Sequence, residues 1–332
     1  MKYMKIKYSL NRYKNKRLNI KEFKERKPVL RSFPYIAYID PTNICPLSCP
    51  LCPTGNKSSA YPKGSMSLET FKRIYDQIGQ YLYQLHLYNW GEPLLNRRIL
   101  DMIEYVKKKY NPEIIVSSTL SGISMKMAEK IAQSDINLLS VSIDGATQNA
   151  YEKYRVGGNL ERVLNTLKHM EEARQASGLR KPLLRWQFIP MRHNENEIES
   201  ARKLAKDLGV DFRLHRVRLN ICDFEKKETN QILEEREEWM PQNSEYIKLK
   251  KGKGLENGCN FLWDTVVFNW NGSIQPCCKI YNYEDVFEND LDKRFSEVWN
   301  GPAYIKAREI FNGRRAEKDF ICQKCIDHKG AF

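Results

Sequence analysis

The chain has 332 residues, 41% of them hydrophobic and 29% charged, which is enough to bury a full-sized core and ordinary for a globular protein. No apolar run reaches the length of a membrane span and the first residues lack the apolar stretch of a signal peptide. The expected setting is therefore the cytoplasm, where nine cysteines read as metal ligands or free thiols rather than disulfides. The net charge of +14 is concentrated at one end: residues 1–35 hold twelve Lys and Arg against Glu22 and Glu25, and so carry +10 of it. With Tyr3, Tyr8 and Tyr13 interleaved, this arm could grip phosphates, stack on bases or meet an anionic lipid surface. A solvated extension that packs a few apolar residues on the body is the favoured reading, and the arm alone does not make a nucleic-acid binder.

The first strand candidate, Tyr35–Asp40, runs into Cys45-Pro46-Leu47-Ser48-Cys49-Pro50-Leu51-Cys52, a C-x3-C-x2-C run. Pro41, Pro46, Pro50 and Pro53 disfavour continuing the strand or starting a regular helix, so the run reads as a ligand-bearing loop. Three thiolates this close can share a metal centre but cannot complete a four-cysteine iron–sulfur cluster, which leaves one iron open. Structural zinc normally takes four protein ligands, and no fourth lies nearby; a disulfide would leave one thiol over. The run resembles the cluster loop of the radical S-adenosylmethionine (SAM) superfamily, with Leu51 where that family often has an aromatic residue. The resemblance implies a [4Fe–4S] cluster on Cys45, Cys49 and Cys52, its open iron chelated by the amino and carboxylate groups of SAM.

Further along, short aliphatic or β-branched runs alternate with amphipathic helical patterns up to residue 217. The remaining strand candidates are Tyr83–Tyr88, Glu113–Ser118, Leu138–Ile143, Leu184–Ile189 and Asp211–Val217. Between them, Leu68, Phe71, Tyr75 and Ile78 share a helix face behind a candidate N-cap, Ser67. Leu160, Val163, Leu164, Leu167 and Met170 form a second stripe; Ile198, Ala201, Leu204, Ala205 and Leu208 form a third, stopped by Gly209. Six βα units give the α/β class and a partial (β/α)6 TIM-like barrel, open because a closed eightfold barrel needs more chain. Ligands in such folds gather at the carboxyl ends of the strands, where the cysteine loop lies.

Other residues converge on that end. Asn89-Trp90-Gly91-Glu92-Pro93 follows the second strand and resembles the family's Gly-Gly-Glu motif, so Gly91 and Glu92 are expected to meet the SAM amino group. Ser142 and Asp144 alternate onto one face as the fourth strand ends, where an acid and a hydroxyl can hydrogen-bond a ribose. Tyr154-Arg155-Val156-Gly157-Gly158 resembles a segment whose arginine holds the SAM carboxylate or the substrate. Gln187, inside an apolar run, needs a partner such as the SAM hydroxyls. No catalytic acid or base is assigned, and His86, His193 and His215 are taken as structural.

Ile232–Trp239 has a short helical pattern, and Lys248–Gly254 reads as a flexible connection. The expected organisation is a basic extension (1–35), a barrel (36–220), a connecting segment (221–254) and a small domain (255–332). In that domain Asn271-Gly272 suits a two-residue type I′ hairpin turn between Val266–Trp270 and Ser273–Pro276. Cys259 and Cys277 flank the hairpin, and Cys322-Gln323-Lys324-Cys325 follows a helical pattern. Four such thiols suit a zinc ribbon as well as an iron–sulfur cluster. The pattern resembles the twitch domain, the shortened relative of the SPASM extension, which implies an auxiliary [4Fe–4S] cluster on Cys259, Cys277, Cys322 and Cys325. Cys278 could replace Cys277, and Cys222 has no evident partner.

The resemblance covers about residues 36–332. It implies an oxidoreductase that uses SAM and two [4Fe–4S] clusters, takes electrons from a flavodoxin or ferredoxin, and acts on a small sugar-like or aminocyclitol-like molecule or on a peptide. One electron delivered to the first cluster cleaves SAM to methionine and a 5′-deoxyadenosyl radical, which removes a substrate hydrogen. An auxiliary cluster with all four ligands from the protein then accepts the electron left behind. The layout resembles the aminocyclitol (2-deoxy-scyllo-inosamine) dehydrogenases. Peptide modification, epimerisation with a returning thiol on Cys222 or Cys278, and a non-enzymatic zinc-bearing nucleic-acid binder are the alternatives.

Overall fold

The computed structural model describes residues 2–56, 61–215, 237–246, 259–314 and 316–327. The expected strands form: β1 Ile36–Ile39, β2 Gln84–His86, β3 Glu113–Ser118, β4 Leu138–Ser142, β5 Leu183–Phe188 and β6 Asp211–Leu214. They run parallel, each pairing with the next, in a partial barrel. Helices cover the outside: α2 Leu68–Ile78, α3 Ile99–Lys109, α4 Met125–Ala132, α5 Gln148–Tyr154, α6 Leu160–Ala176 and α7 Ile198–Asp207.

Local chemistry sets the helix ends. Ser67, Ser124, Thr147 and Asn159 accept a backbone N–H from the first turns of α2, α4, α5 and α6. Gly209, at φ +74°, turns the chain out of α7 and into β6. The core is the seam between the helices and the outward strand residues, including Ala37, Ile39, Leu85, Val116, Leu139, Val141, Trp186 and Phe188.

The structure departs from the sequence-based reading in three places. The basic arm packs Phe23 against Trp263 on the body, but most of its anchoring is polar. It is a helix, α1 Lys2–Lys24, with Asn15, Asn19 and Glu22 buried against the body. Asn19 donates to the Trp263 carbonyl (2.5 Å), Glu22 accepts from the backbone N–H groups of Arg31 and Ser32, and Arg12 donates to the carbonyls of Gln80 and Tyr110. Charge counting missed this because the anchoring groups are three polar side chains on one face of a basic helix.

The hairpin is present, but it belongs to the barrel sheet: β7 Thr265–Phe268 pairs parallel with β1, and β8 Ile274–Gln275 pairs antiparallel with β7. Its turn is not type I′, which needs positive φ at both central residues, because only Gly272 has it (+86°). Gly272 N–H donates to the Asn269 carbonyl and Asn269 N–H to the Ser273 carbonyl, closing a three-residue loop with glycine in the left-handed position. Most of the 221–254 segment, Cys222 included, lies outside the described residues. No helix among the described residues is long and apolar enough to cross a membrane.

Candidate active site

Cys45, Cys49 and Cys52 occupy the loop after β1, at the carboxyl end of the sheet. Glu92 N–H donates to the Ile44 carbonyl (2.9 Å), and Ser48 N–H donates to the Val156 carbonyl (3.0 Å). The loops after β1, β2 and α5 are thereby laced together. Gly91 permits this: a Cβ there would stand 2.0 Å from the Thr42 carbonyl oxygen. The three thiols open into a cavity of about 150 Å³, which Tyr88, Asn89, Trp90 and Ser117 also line.

Of the six residues expected at SAM, Gly91, Glu92, Ser142 and Arg155 line this cavity. Glu92 is buried with its carboxylate already engaged, accepting from Ser118 Oγ (2.7 Å), Thr119 N (2.7 Å), Thr119 Oγ1 (2.8 Å) and Leu94 N (3.2 Å). Burial pushes its carboxyl above the ordinary range, against those hydrogen bonds. Asp144 differs from expectation. It lies beneath the cavity wall, where Oδ2 pairs with Arg155 (2.6 Å) and Oδ1 accepts from Ile189 N (2.8 Å). Both oxygens are used within the protein, so the acid holds the arginine rather than presenting itself to a ribose. Arg155 in turn donates toward Cys49 Sγ (3.8 Å). Gln187 is also outside the lining, its Oε1 accepting from Ser140 Oγ (3.2 Å).

The second thiol set also comes together. Cys259 precedes the short helix Phe261–Asp264, Cys277 follows β8, and Cys322 and Cys325 lie three apart on one face of the helix Ile321–Asp327. Each of Cys322 and Cys325 feels the fields of Cys259 and Cys277, whereas Cys278 interacts with Cys277. With the Asn89 amide oriented to satisfy both neighbours, its Nδ2 donates to the Cys278 carbonyl (3.3 Å) and its Oδ1 accepts from Trp90 Nε1 (3.0 Å). One backbone carbonyl thus links the second set to the cavity of the first.

The donor chemistry fits iron–sulfur clusters in both places. Burial pushes Cys45, Cys259 and Cys277 up to about 12, and Cys49, Cys322 and Cys325 also upward. Arg155 opposes this at Cys49, and Lys279 opposes it at Cys259, Cys277 and Cys325. Thiols so placed ionise only when a metal core supplies the positive charge. Among the described residues no three His, Cys, Asp or Glu side chains are grouped to hold a single ion.

Of the residues packed around the site, Met191, Trp239, Tyr61 and Tyr281 carried no sequence signal. Leu47, Cys49, Tyr154, Met191 and Trp239 form a buried apolar cluster that shields one side of the cysteine loop from water. Tyr61, Trp90 and Tyr281 form another between the two thiol sets, Tyr61 stacked on Tyr281 at 5.1 Å. Their partners are hundreds of residues apart, and an isolated Trp or Tyr in the sequence says nothing of a neighbour. Asp40, fully buried at the end of β1, takes the Trp90 N–H on Oδ2 (3.4 Å) while its Oδ1 has no partner.

A three-thiol loop opening into a cavity at the barrel end, with a second group of cysteines beside it, fits an iron–sulfur enzyme of the SAM-cleaving class. The chain matches the radical SAM superfamily over residues 39–208, and an iron–sulfur cluster-binding domain of the SPASM type over residues 259–326. It belongs to the radical SAM superfamily, uses SAM and a [4Fe–4S] cluster, and carries a SPASM-type domain that binds further iron–sulfur. It is 23% identical over 322 residues to the tungsten-containing aldehyde ferredoxin oxidoreductase cofactor-modifying protein of Pyrococcus furiosus, covering 87% of this chain and 86% of that one. Among solved structures it resembles Streptococcus suis SuiB bound to S-adenosylmethionine (TM-score 0.61, 16% identity, 96% of this chain and 74% of that one). It also resembles BtrN in complex with AdoMet and 2-DOIA (TM-score 0.50, 13% identity, 84% and 87%). At these identities the structural likeness is one of fold.

Proposed function

We propose that this enzyme oxidises a carbon–hydrogen bond of a small organic substrate by two electrons, as in dehydrogenation of an alcohol carbon. Cys45, Cys49 and Cys52 would hold the SAM-binding cluster, and Cys259, Cys277, Cys322 and Cys325 the auxiliary one. When bound, these groups supply reductive cleavage of SAM to methionine and a 5′-deoxyadenosyl radical, and a sink for the electron left on the substrate. The carrying observation is that Cys45, Cys49 and Cys52 line one cavity at the barrel's carboxyl end with Gly91, Glu92 and Arg155, and the matching iron–sulfur cluster-binding domain supports an auxiliary cluster beside it.

The chain's own residues then have definite tasks. Arg155, clamped by Asp144, presents positive charge beside Cys49 and to the cavity. Glu92, fixed by Ser118 and Thr119, keeps a carboxyl at the floor of the cavity with its oxygens oriented. Leu47, Tyr154, Met191 and Trp239 exclude water from the loop, which protects a reactive radical from side reactions.

The test is anaerobic. Reconstituted protein should carry about eight irons per chain for two [4Fe–4S] clusters, with zinc absent. Cys45→Ala should abolish 5′-deoxyadenosine formation, whereas Cys322→Ala should retain it and yield no oxidised product. Full product turnover in Cys322→Ala would refute the electron-sink role. The relative that spans nearly both whole chains is named for modifying a cofactor, which favours, as a second reading, an organic cofactor as the substrate in place of a sugar or aminocyclitol. Deuterium passing from a candidate substrate into 5′-deoxyadenosine separates the two.

A further inference from the structure

The strands of a parallel sheet buried on both faces read as continuous hydrophobic runs, but those of this barrel alternate. Outward residues of β3 to β5, such as Ile114, Val116, Leu139, Val141, Leu184, Trp186 and Phe188, are no more than 2% exposed under the helices. The inward residues of β4 to β6 are Leu138, Ser140, Ser142, Leu183, Arg185, Gln187, Asp211 and Arg213. Phe212 fixes this orientation, because it packs outward against Trp186 and Phe188 with Arg202 over its ring. Apart from the two leucines at the amino ends of β4 and β5, the inner wall is polar, the lining that a polar ligand needs.

Its charges are arranged in a particular way. Asp211 Oδ2 accepts from Arg185 Nε (2.7 Å) and from Arg213 Nε (3.2 Å). One carboxylate thus holds two guanidiniums by their Nε groups, and among the described residues their Nη ends have no partner. Arg185 is partly buried (23% exposed) and Arg213 is open to solvent (61%), and the trio keeps one net positive charge at this wall. Ser142, Gln187 and Arg213 are opposite one another across β4, β5 and β6. Neighbouring strands lie about 4.8 Å apart, so the backbone of Arg213 stands about 10 Å from Ser142. Ser142 lines the three-thiol cavity. The facing wall, by contrast, is aromatic: Tyr38 stacks on His86 at 4.2 Å, and His86 Nδ1 meets the Tyr88 hydroxyl at 3.2 Å.

We propose that the inner face of β4–β6 binds the substrate by an oxyanion, a carboxylate or a phosphate, held in the Nη forks of Arg185 and Arg213. The rest of the molecule lies over Gln187 and Ser142 toward the cavity. Paired planar forks suit the two oxygens of either group. The substrate must then be long enough to place its anion about 10 Å from the reacting end. This rests on the reading of the cavity as the reaction chamber.

The experiment follows the side-chain Nε signals of the reconstituted protein, labelled with 15N-arginine and kept anaerobic and oxidised, during separate titrations with glutarate and inorganic phosphate. Arg185→Gln and Arg213→Gln assign the two signals. Both signals should move saturably, with glutarate if the anion is a carboxylate, with phosphate if it is a phosphate. Arg213→Gln should weaken that binding about tenfold, the loss expected for a charge-assisted contact, and Arg213→Lys, which keeps charge without the fork, should fall between. Immobile signals with both anions, or equal affinity in both Gln variants and wild type, would overturn the proposal. The titration needs no turnover, so its failure beside normal 5′-deoxyadenosine formation removes this inference alone, while loss of that formation removes the reading of the chamber.

Discussion

Asp40 holds its proton where an exposed aspartate would not. Burial pushes its carboxyl up to about 8, and the single long hydrogen bond from Trp90 N–H does not offset it. In the unfolded chain it ionises near 3.8. Between those values the folded protein binds a proton that the unfolded chain has lost. The stability from this group is complete below about pH 4 and falls as pH rises through about 8. Asp40→Asn should therefore flatten the decline in unfolding free energy between about pH 5 and pH 8, read by urea denaturation. An unchanged slope would mean that Asp40 is ionised in the folded protein. The Asp144–Arg155 pair gives a prediction of another kind, since the acid is fully buried and the arginine nearly so. Asp144→Ala strands a buried guanidinium and should cost about 3–5 kcal/mol of stability. A loss below about 1 kcal/mol, the range of an exposed ion pair, would contradict the clamp.

Loops set the site, and glycine sets the loops. Gly91 brings the loop after β2 onto the backbone of Thr42, so Gly91→Ala drives a methyl into a carbonyl with no side chain free to move aside. The loops after β1 and β2 must separate, while the four-thiol set, held by other elements, stays in place. Iron in reconstituted Gly91→Ala should fall from about eight toward about four per chain, measured by iron and sulfide analysis. Retention of all the iron would show that the loop tolerates the shift. At this scale the sequence was informative where chemistry is local. β3 falls residue for residue where its pattern predicts, and the helix stripes follow their period. Non-local contacts were not legible. Asp144 pairs with an arginine eleven positions downstream, and the Asp211 pairing depends on a register that no single strand reveals. The hairpin turn was misread because Asn271 keeps negative φ, letting three residues rather than two bridge the strands.

A continuous sheet makes the barrel and the cluster-binding region one mechanical body, despite the boundary that the sequence suggests near residue 255. β7 pairs along the whole of β1, so the strand that ends at the first cysteine loop also carries the strand that follows Cys259. Arg308, fully buried, ties the same junction from below, donating to the carbonyls of Leu262, Pro28 and Trp299. Helix α1 completes it, because Asn19 bonds both Ser32 at the barrel's entrance and the Trp263 carbonyl ahead of β7. Asn19→Ala leaves that carbonyl buried and unpaired, a loss of about 1–3 kcal/mol. If the two regions unfold together, the variant shows one cooperative denaturation transition, moved as a whole and coincident by tryptophan fluorescence and by cluster absorbance. Two separate transitions, with only one displaced, would mean that the C-terminal region folds on its own and that the shared sheet does not couple the cluster sites.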